Sequence, residues 1–216
     1  MTTVTMDKYL IDLIERMLDT SDQIMEAGYD SSKTISWKAL REAEKVDKAD
    51  YVPQLILFID KEKDKKKRGE AYFLLGHIAK NTNDTTALNY LIQRVDKETD
   101  KYIVSSLLDR IGDIKKPTGT NLQPLITATK NDKWLIRHSA IQSLNYSTDP
   151  DAESTLIEIL DSSDNQYNLT YSNATLNRIG TLRAIPHLEK HLKSRKRDVK
   201  DSAKFAIEEI LKRNGQ

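Results

Sequence analysis

Two histidines, His187 and His191, stand four residues apart, a spacing that puts two imidazoles on one face of a helix and can chelate a metal ion. The chain has no cysteine, Glu189 falls elsewhere on the same helix, and no third ligand stands nearby, so no metal site is assigned. Four histidines in all cannot be spaced into a Ser-His-Asp set, and no Gly-rich phosphate loop is present. The many Asp and Glu residues are accounted for by charged helix faces. The sequence therefore names no catalytic residue and no cofactor. Its other chemistry is electrostatic. Lys65, Lys66 and Lys67, and again Arg195, Lys196 and Arg197, form short basic runs suited to a phosphate or an acidic partner, or simply to a solvated turn.

The elements that hold these groups are helical. The 216 residues are 38% apolar and 31% charged, with seven Gly and five Pro, which argues against a turn-rich all-β fold. Absent cysteine excludes disulfides and a thiolate zinc site. The stretch MTTVTMDKYLIDL has no basic segment followed by an apolar one, and no apolar run reaches membrane-spanning length, so a cytoplasmic protein with no membrane partner is expected. Net charge is +1: residues 1–50 carry 7 basic and 11 acidic side chains, and residues 51–216 carry 27 and 22. That excess is too modest for a dedicated nucleic-acid binder.

The chain repeats itself. An apolar residue followed by a helix stop recurs as Leu75-Gly76, Ile111-Gly112, Leu144-Asn145, Ile179-Gly180 and Ile207-Glu208, at intervals of 36, 33, 35 and 28 residues. Four positions upstream stand Ala71, Leu107, Ala140, Thr175 and Ala203, mostly small, as close helix packing requires. Pro53, Pro124 and Pro186 keep step with these markers, and each suits a first helical turn. This periodicity predicts first helices near 51–60, 85–96, 122–130, 150–160 and 183–193. Second helices are predicted near 66–80, 100–113, 133–146, 167–180 and 197–213. Residues 6–29 read as a helix extended by Ile24 and Met25 and stopped at Gly28, and Thr34 to about Val46 as another. The first 50 residues are an N-terminal helical cap, and 51–216 one array of five helix pairs.

Gly180-Thr-Leu-Arg183-Ala-Ile-Pro186-His-Leu188, followed by Arg197-Asp-Val199-Lys200-Asp-Ser-Ala203-Lys-Phe-Ala206-Ile207, resembles the HEAT-like repeat of the PBS-lyase type, as does Asp132-Lys-Trp-Leu-Ile136-Arg137-His-Ser-Ala140-Ile-Gln-Ser-Leu144. The resemblance implies an all-α, right-handed α-α superhelix, an armadillo-like solenoid used as a binding platform. It also implies an Arg ladder in which second-helix arginines bond acidic neighbours. Here Arg68, Arg137 and Lys200 occupy those positions, with Val104 and Ser172 in the others. In such arrays the second helices line the concave face. The repeat alignment then points Tyr102, Asp109, Trp134, His138, Gln142, Asn173 and Asn177 into the groove, a mixture of aromatic and polar side chains of the kind that recognises a partner.

These readings lead to a non-enzymatic, bacterial-type protein-binding module: a scaffold, an adaptor or a toxin-immunity protein. Trp134-Leu-Ile-Arg137 raises an alternative in nucleic-acid binding, because alkylpurine DNA glycosylases with HEAT-like repeats resemble it in a W-x-x-R segment. Their Trp-Asp pair is missing: neither Trp37 nor Trp134 precedes an Asp. A third reading, accessory to cofactor attachment, comes from phycobilin lyases that carry such repeats.

Overall fold

The computed structural model describes residues 6–23 and 30–215. The predicted extension through Ile24 and Met25 and the stop at Gly28 lie outside them. All described secondary structure is helical apart from one isolated bridge between Lys116 and Ser147. The helices are α1 (Lys8–Leu18), α2 (Ile35–Ala43), α3 (Val52–Lys61), α4 (Lys65–Thr82), α5 (Thr85–Arg94), α6 (Lys101–Gly112), α7 (Gln123–Ala128), α8 (Trp134–Ser143), α9 (Pro150–Ser162), α10 (Gln166–Ile179), α11 (Ile185–Glu189) and α12 (Arg197–Arg213). Among the described residues no helix is long and apolar enough to cross a membrane.

Local chemistry fixes most helix starts. Asp7, Asp64, Asp100, Asp149 and Asn165 each accept a hydrogen bond from a backbone N–H of the first turn, filling an otherwise orphaned donor. Pro53, Pro124, Pro150 and Pro186 lie in first turns, where a missing N–H costs nothing. Asn83, at φ 54°, ends α4 in the left-handed conformation.

Two compact units make up the chain, residues 1–91 and 92–216, and the division falls inside α5. In the first unit α1 packs on α2 and α4, and α3 packs on α4. Leu10, Leu13, Ala39, Ala43, Leu55, Ala71, Leu74 and Leu75 are fully buried there. In the second unit the second helices pack in sequence order: α6 on α8, α8 on α10, α10 on α12. The short α7, α9 and α11 cover α8, α10 and α12 in turn. Each hairpin thus covers an apolar stripe that its neighbour could not bury alone.

The markers that revealed the repeat are core residues, with a shift near the end. Ala71, Leu107, Ala140, Thr175 and Ala203 are at most 1% exposed. Ile179 and Ile207, however, are only half-buried; Leu176 and Ile210 fill the core instead. Gly180 explains the shift. A Cβ there would come within 2.8 Å of the Ile210 side chain and 2.6 Å of the Leu176 carbonyl, so glycine lets α12 close against the end of α10. Arg213 completes that junction by donating to the Asn177 and Gly180 carbonyls. The last first-helix is also not continuous: α11 stops at Glu189 and a 3₁₀ turn follows over Lys190–Lys193.

Lys116 is the largest departure from expectation. It is fully buried in the connection after α6, its ammonium donating to the Ile111 and Ile114 carbonyls at 2.7 and 2.6 Å. Burial pulls its pKa down to about 7, against the opposing attraction of Asp113. The side chain fills the carbonyl end of α6, where orphaned acceptors and the helix dipole both favour a donor.

Candidate functional site

The recess lies in the second unit and is built by the first turns of two successive second helices. Trp134 opens α8, and His138 stands one turn further on. Asn165 caps α10, and Tyr167 and Tyr171 follow on one of its faces. The five residues line a cavity of about 540 Å³. His138 is its hub: its ring centroid lies 4.8 Å from Tyr171, 5.8 Å from Trp134 and 5.9 Å from Tyr167, all tilted contacts. Trp134 is 63% exposed and Tyr167 55%, so two ring surfaces remain open to a ligand while His138 is held beneath them.

Arg137 and Asn168 hold this arrangement in place. Arg137 Nη1 donates to the Asn131 and Asp132 carbonyls at 2.6 and 3.1 Å, and its Nε donates to Asn168 Oδ1 at 3.1 Å. Since Nε can only donate, that Asn168 atom is the amide oxygen, and His138 Nε2 must meet it, at 3.1 Å, as an N–H. Asn168 Nδ2 then donates to Ser163 Oγ. Burial holds the His138 pKa below the usual imidazole range, Arg137 pushes the same way, and the Asn168 bond opposes both. A neutral His138 with its proton on Nε2 leaves Nδ1 as an acceptor. The recess is therefore a set of π faces around a largely buried imidazole, while Nε and Nη1 of the nearby guanidinium are engaged.

Arg68 repeats the Arg137 arrangement, donating to the Glu62 and Lys63 carbonyls at 3.2 and 2.9 Å. Both arginines tie down the turn between the two helices of their own pair. For Arg137, backbone carbonyls and an Asn amide stand where the resemblance implied an acidic ladder neighbour.

The other sequence-expected residues divide into three groups. Tyr102 is 65% exposed at the start of α6, its ring 4.9 Å from the Lys101 ammonium. Asp109, Gln142 and Asn177 are half-buried. Burial raises the Asp109 pKa, with Ser139 as its hydrogen-bonding partner, and Asn177 donates to the Phe205 carbonyl. Asn173 corrects the expectation of a groove-facing amide: it is fully buried and donates to the Val199 carbonyl and Ser202 Oγ, so it joins α10 to α12 and has no surface for a partner. The basic runs also divide. Lys65, Lys66 and Lys67 form the first turn of α4 rather than a loop, whereas Arg195 and Lys196 are exposed in the turn before α12. Arg197 begins α12 and pairs with Asp201 at 3.3 Å. His187 and His191 do not share one α-helix, and His187 Nδ1 meets Asp161 at 2.8 Å.

Sequence reasoning missed Asn165, Tyr167 and Asn168. The repeat was aligned at the ends of the second helices, and α10 has 14 residues where α8 has 10, so the beginnings fell out of step. Aligning the caps Lys133 and Asn165 would have brought Trp134 and Tyr167 to within one residue of each other in the first turns of α8 and α10.

The element order and the sequential packing in the second unit define a helical-repeat protein of the α-solenoid class. Solved structures agree over nearly the whole chain. A designed armadillo repeat protein in complex with the peptide (KR)4 is similar at a TM-score of 0.56 and 14% identity, covering 93% of this chain and 99% of that one. Another designed armadillo repeat protein gives 0.53 at 15% identity, with 93% and 99% covered. An engineered protein gives 0.54 at 16%, with 95% and 98% covered. At these identities the likeness shows the fold. More particularly, residues 122–208 match the family model for HEAT repeats, so the HEAT-like character read from the sequence holds over that stretch. No curated protein matches the sequence.

Proposed function

We propose that the protein is a non-enzymatic binding module of the cytoplasm, a scaffold, adaptor or immunity protein, and that its second unit captures a partner protein by a lysine or arginine side chain inserted into the recess of Trp134, His138, Tyr167 and Tyr171. The observation that carries this reading is the recess itself. Ring faces attract a cation by their quadrupole, most strongly with the indole of Trp. The designed armadillo neighbour that holds (KR)4 supports a cationic peptide as the partner class. We further propose that residues 1–50 cap an array of five pairs over 51–216, as the repeat spacing suggests.

The test is binding of a fluorescent alternating Lys-Arg peptide, with citrulline and acetyl-lysine replacing the charged residues in a second peptide. The reading expects at least about a tenfold preference for the charged peptide, about 1.4 kcal/mol. Equal binding of the two peptides overturns it. Nucleic acid is the competing partner class. Arg195 and Lys196 are exposed, but Arg137, the residue that suggested a glycosylase, has Nε and Nη1 engaged on Asn168 and on carbonyls of its own turn. Retardation of duplex DNA that weakens steeply with salt, without peptide binding, would favour that class.

A further inference from the structure

A cleft of about 640 Å³ lies in the first unit, outside the stretch that matches HEAT repeats. Its lining includes Tyr9, Trp37, Arg41, Lys45, Lys48 and Tyr51. Trp37, Arg41 and Lys45 recur every four residues, so one face of α2 and of the turn after it carries a ring, a guanidinium and an ammonium in a row. Trp37 is 40% exposed. Tyr51 closes the floor, stacked on Tyr9 at 6.1 Å between centroids, with the Lys48 ammonium 5.4 Å from its ring centroid.

The charge balance of this cleft runs against its surroundings. Residues 1–50 have a net charge of −4, yet the two glutamates of α2 and its C-terminal end, Glu42 and Glu44, are engaged. Glu42 receives both terminal nitrogens of Arg16, at 2.8 and 3.2 Å, together with the Tyr9 hydroxyl. Glu44 holds Arg41 at 2.6 Å, and the Arg41 guanidinium lies 5.5 Å from the Trp37 ring centroid. Lys38, Lys45 and Lys48 line the cleft and have no ion pair among the described residues; Asp47 is the one lining acid besides Glu42. Three ammonium groups facing one free carboxylate attract an anion. The rings beside them offer a planar group a stacking surface, a pairing that suits a ligand combining both features. The volume is in the range of small-ligand sites.

We propose that the cleft of the first unit binds a nucleotide, its base against Trp37 and its phosphates against Lys45 and Lys48. Inorganic phosphate would engage only the lysines, and a nucleoside only the ring. An acidic protein segment would use the charge and leave the indole idle. This site is independent of the recess in the second unit, and its failure would leave the reading of that recess standing.

Trp37 and Trp134 are the two tryptophans of the chain, so in a Trp134→Phe background Trp37 alone reports on the cleft. ATP without magnesium is titrated into this full-length protein, with adenosine, tripolyphosphate and an oligoglutamate peptide as separate arms. The proposal expects Trp37 quenching by ATP with a Kd below about 1 mM at low salt, and affinity falling as salt rises. Adenosine and tripolyphosphate should each bind at least about tenfold more weakly than ATP. A Lys45→Gln/Lys48→Gln double variant, with unchanged circular dichroism and melting, should weaken ATP by at least about tenfold, and Lys115→Gln, at an exposed lysine of the second unit, should not. No quenching by about 5 mM ATP in the folded protein would overturn the proposal. So would tripolyphosphate or oligoglutamate binding as well as ATP, or a double variant that binds like its parent.

Discussion

The two cavities are made from the same kinds of side chain and are opposite in character. Both carry a half-open tryptophan on the first turn of a helix, tyrosines nearby and an arginine within reach. In the second unit the arginine is engaged: Arg137 bonds two carbonyls and an amide, and His138 stays neutral, so the ring faces are left to attract a cation. In the first unit the glutamates are engaged: Glu42 and Glu44 are held by Arg16 and Arg41, which leaves lysines to attract an anion. The difference teaches that counting charges near a cavity misleads. The preference of each cavity is set by which charges the fold has already used.

The comparison can be broken or sharpened by substitution, beginning with the scaffold. Ala140 is fully buried where α8 meets its neighbours. Ala140→Asp places an unpaired charge there and should cost more than about 3 kcal/mol in urea denaturation. A variant that unfolds like the parent would show that the register under the recess is wrong.

Lys116 is the fully engaged cation, and its effect is visible in pH. Its folded pKa of about 7 lies below the ordinary lysine value of 10.5, so between these the unfolded chain binds more protons. This residue's contribution to stability should therefore rise with pH above about 7 and level off near 10.5. The difference in stability between parent and Lys116→Met, measured by urea denaturation at about pH 7 and pH 9.5, reports that contribution. A difference that does not change with pH would contradict the assignment.

Arg137→Gln removes a clamp and, on this account, no ligand contact. It should lower stability by about 2 kcal/mol, since hydrogen bonds from a charged donor are lost and carbonyls left unpaired. Arg137→Lys should rescue little, because one ammonium cannot span three acceptors. Trp134→Ala should do the reverse, leaving urea denaturation unchanged within about 0.5 kcal/mol while weakening Lys-Arg peptide binding by about tenfold or more. Glu42→Gln should have only a small effect on stability, about 1 kcal/mol or less, because its pair with Arg16 is over a third exposed at the carboxylate. It should also strengthen anion binding in the first cleft.

The scaffold was far more legible in the sequence than either cavity. Helical period, first-turn prolines and small residues at fixed offsets are local signals, and they located the helix pairs from Tyr51 onward. The shift from Ile207 to Ile210 was hidden because it depends on the close approach that Gly180 permits. Trp134 and His138 were found as residues off the apolar stripe, but Asn173 occupies the same aligned position as His138 and is wholly internal. Sequence spacing says which residues leave the stripe, and only packing says whether the next helix covers them. Trp37, Lys45 and Lys48 passed as parts of an acidic cap, because the pairings of Glu42 and Glu44 cannot be read from composition.

The most direct test of the central account uses a peptide carrying one arginine, compared with its citrulline isostere, against the parent protein and Trp134→Ala. The account predicts that the parent favours arginine by at least about tenfold and that Trp134→Ala abolishes the preference while keeping its fold. A parent that binds both peptides alike, or a Trp134→Ala protein that still prefers arginine, would contradict it.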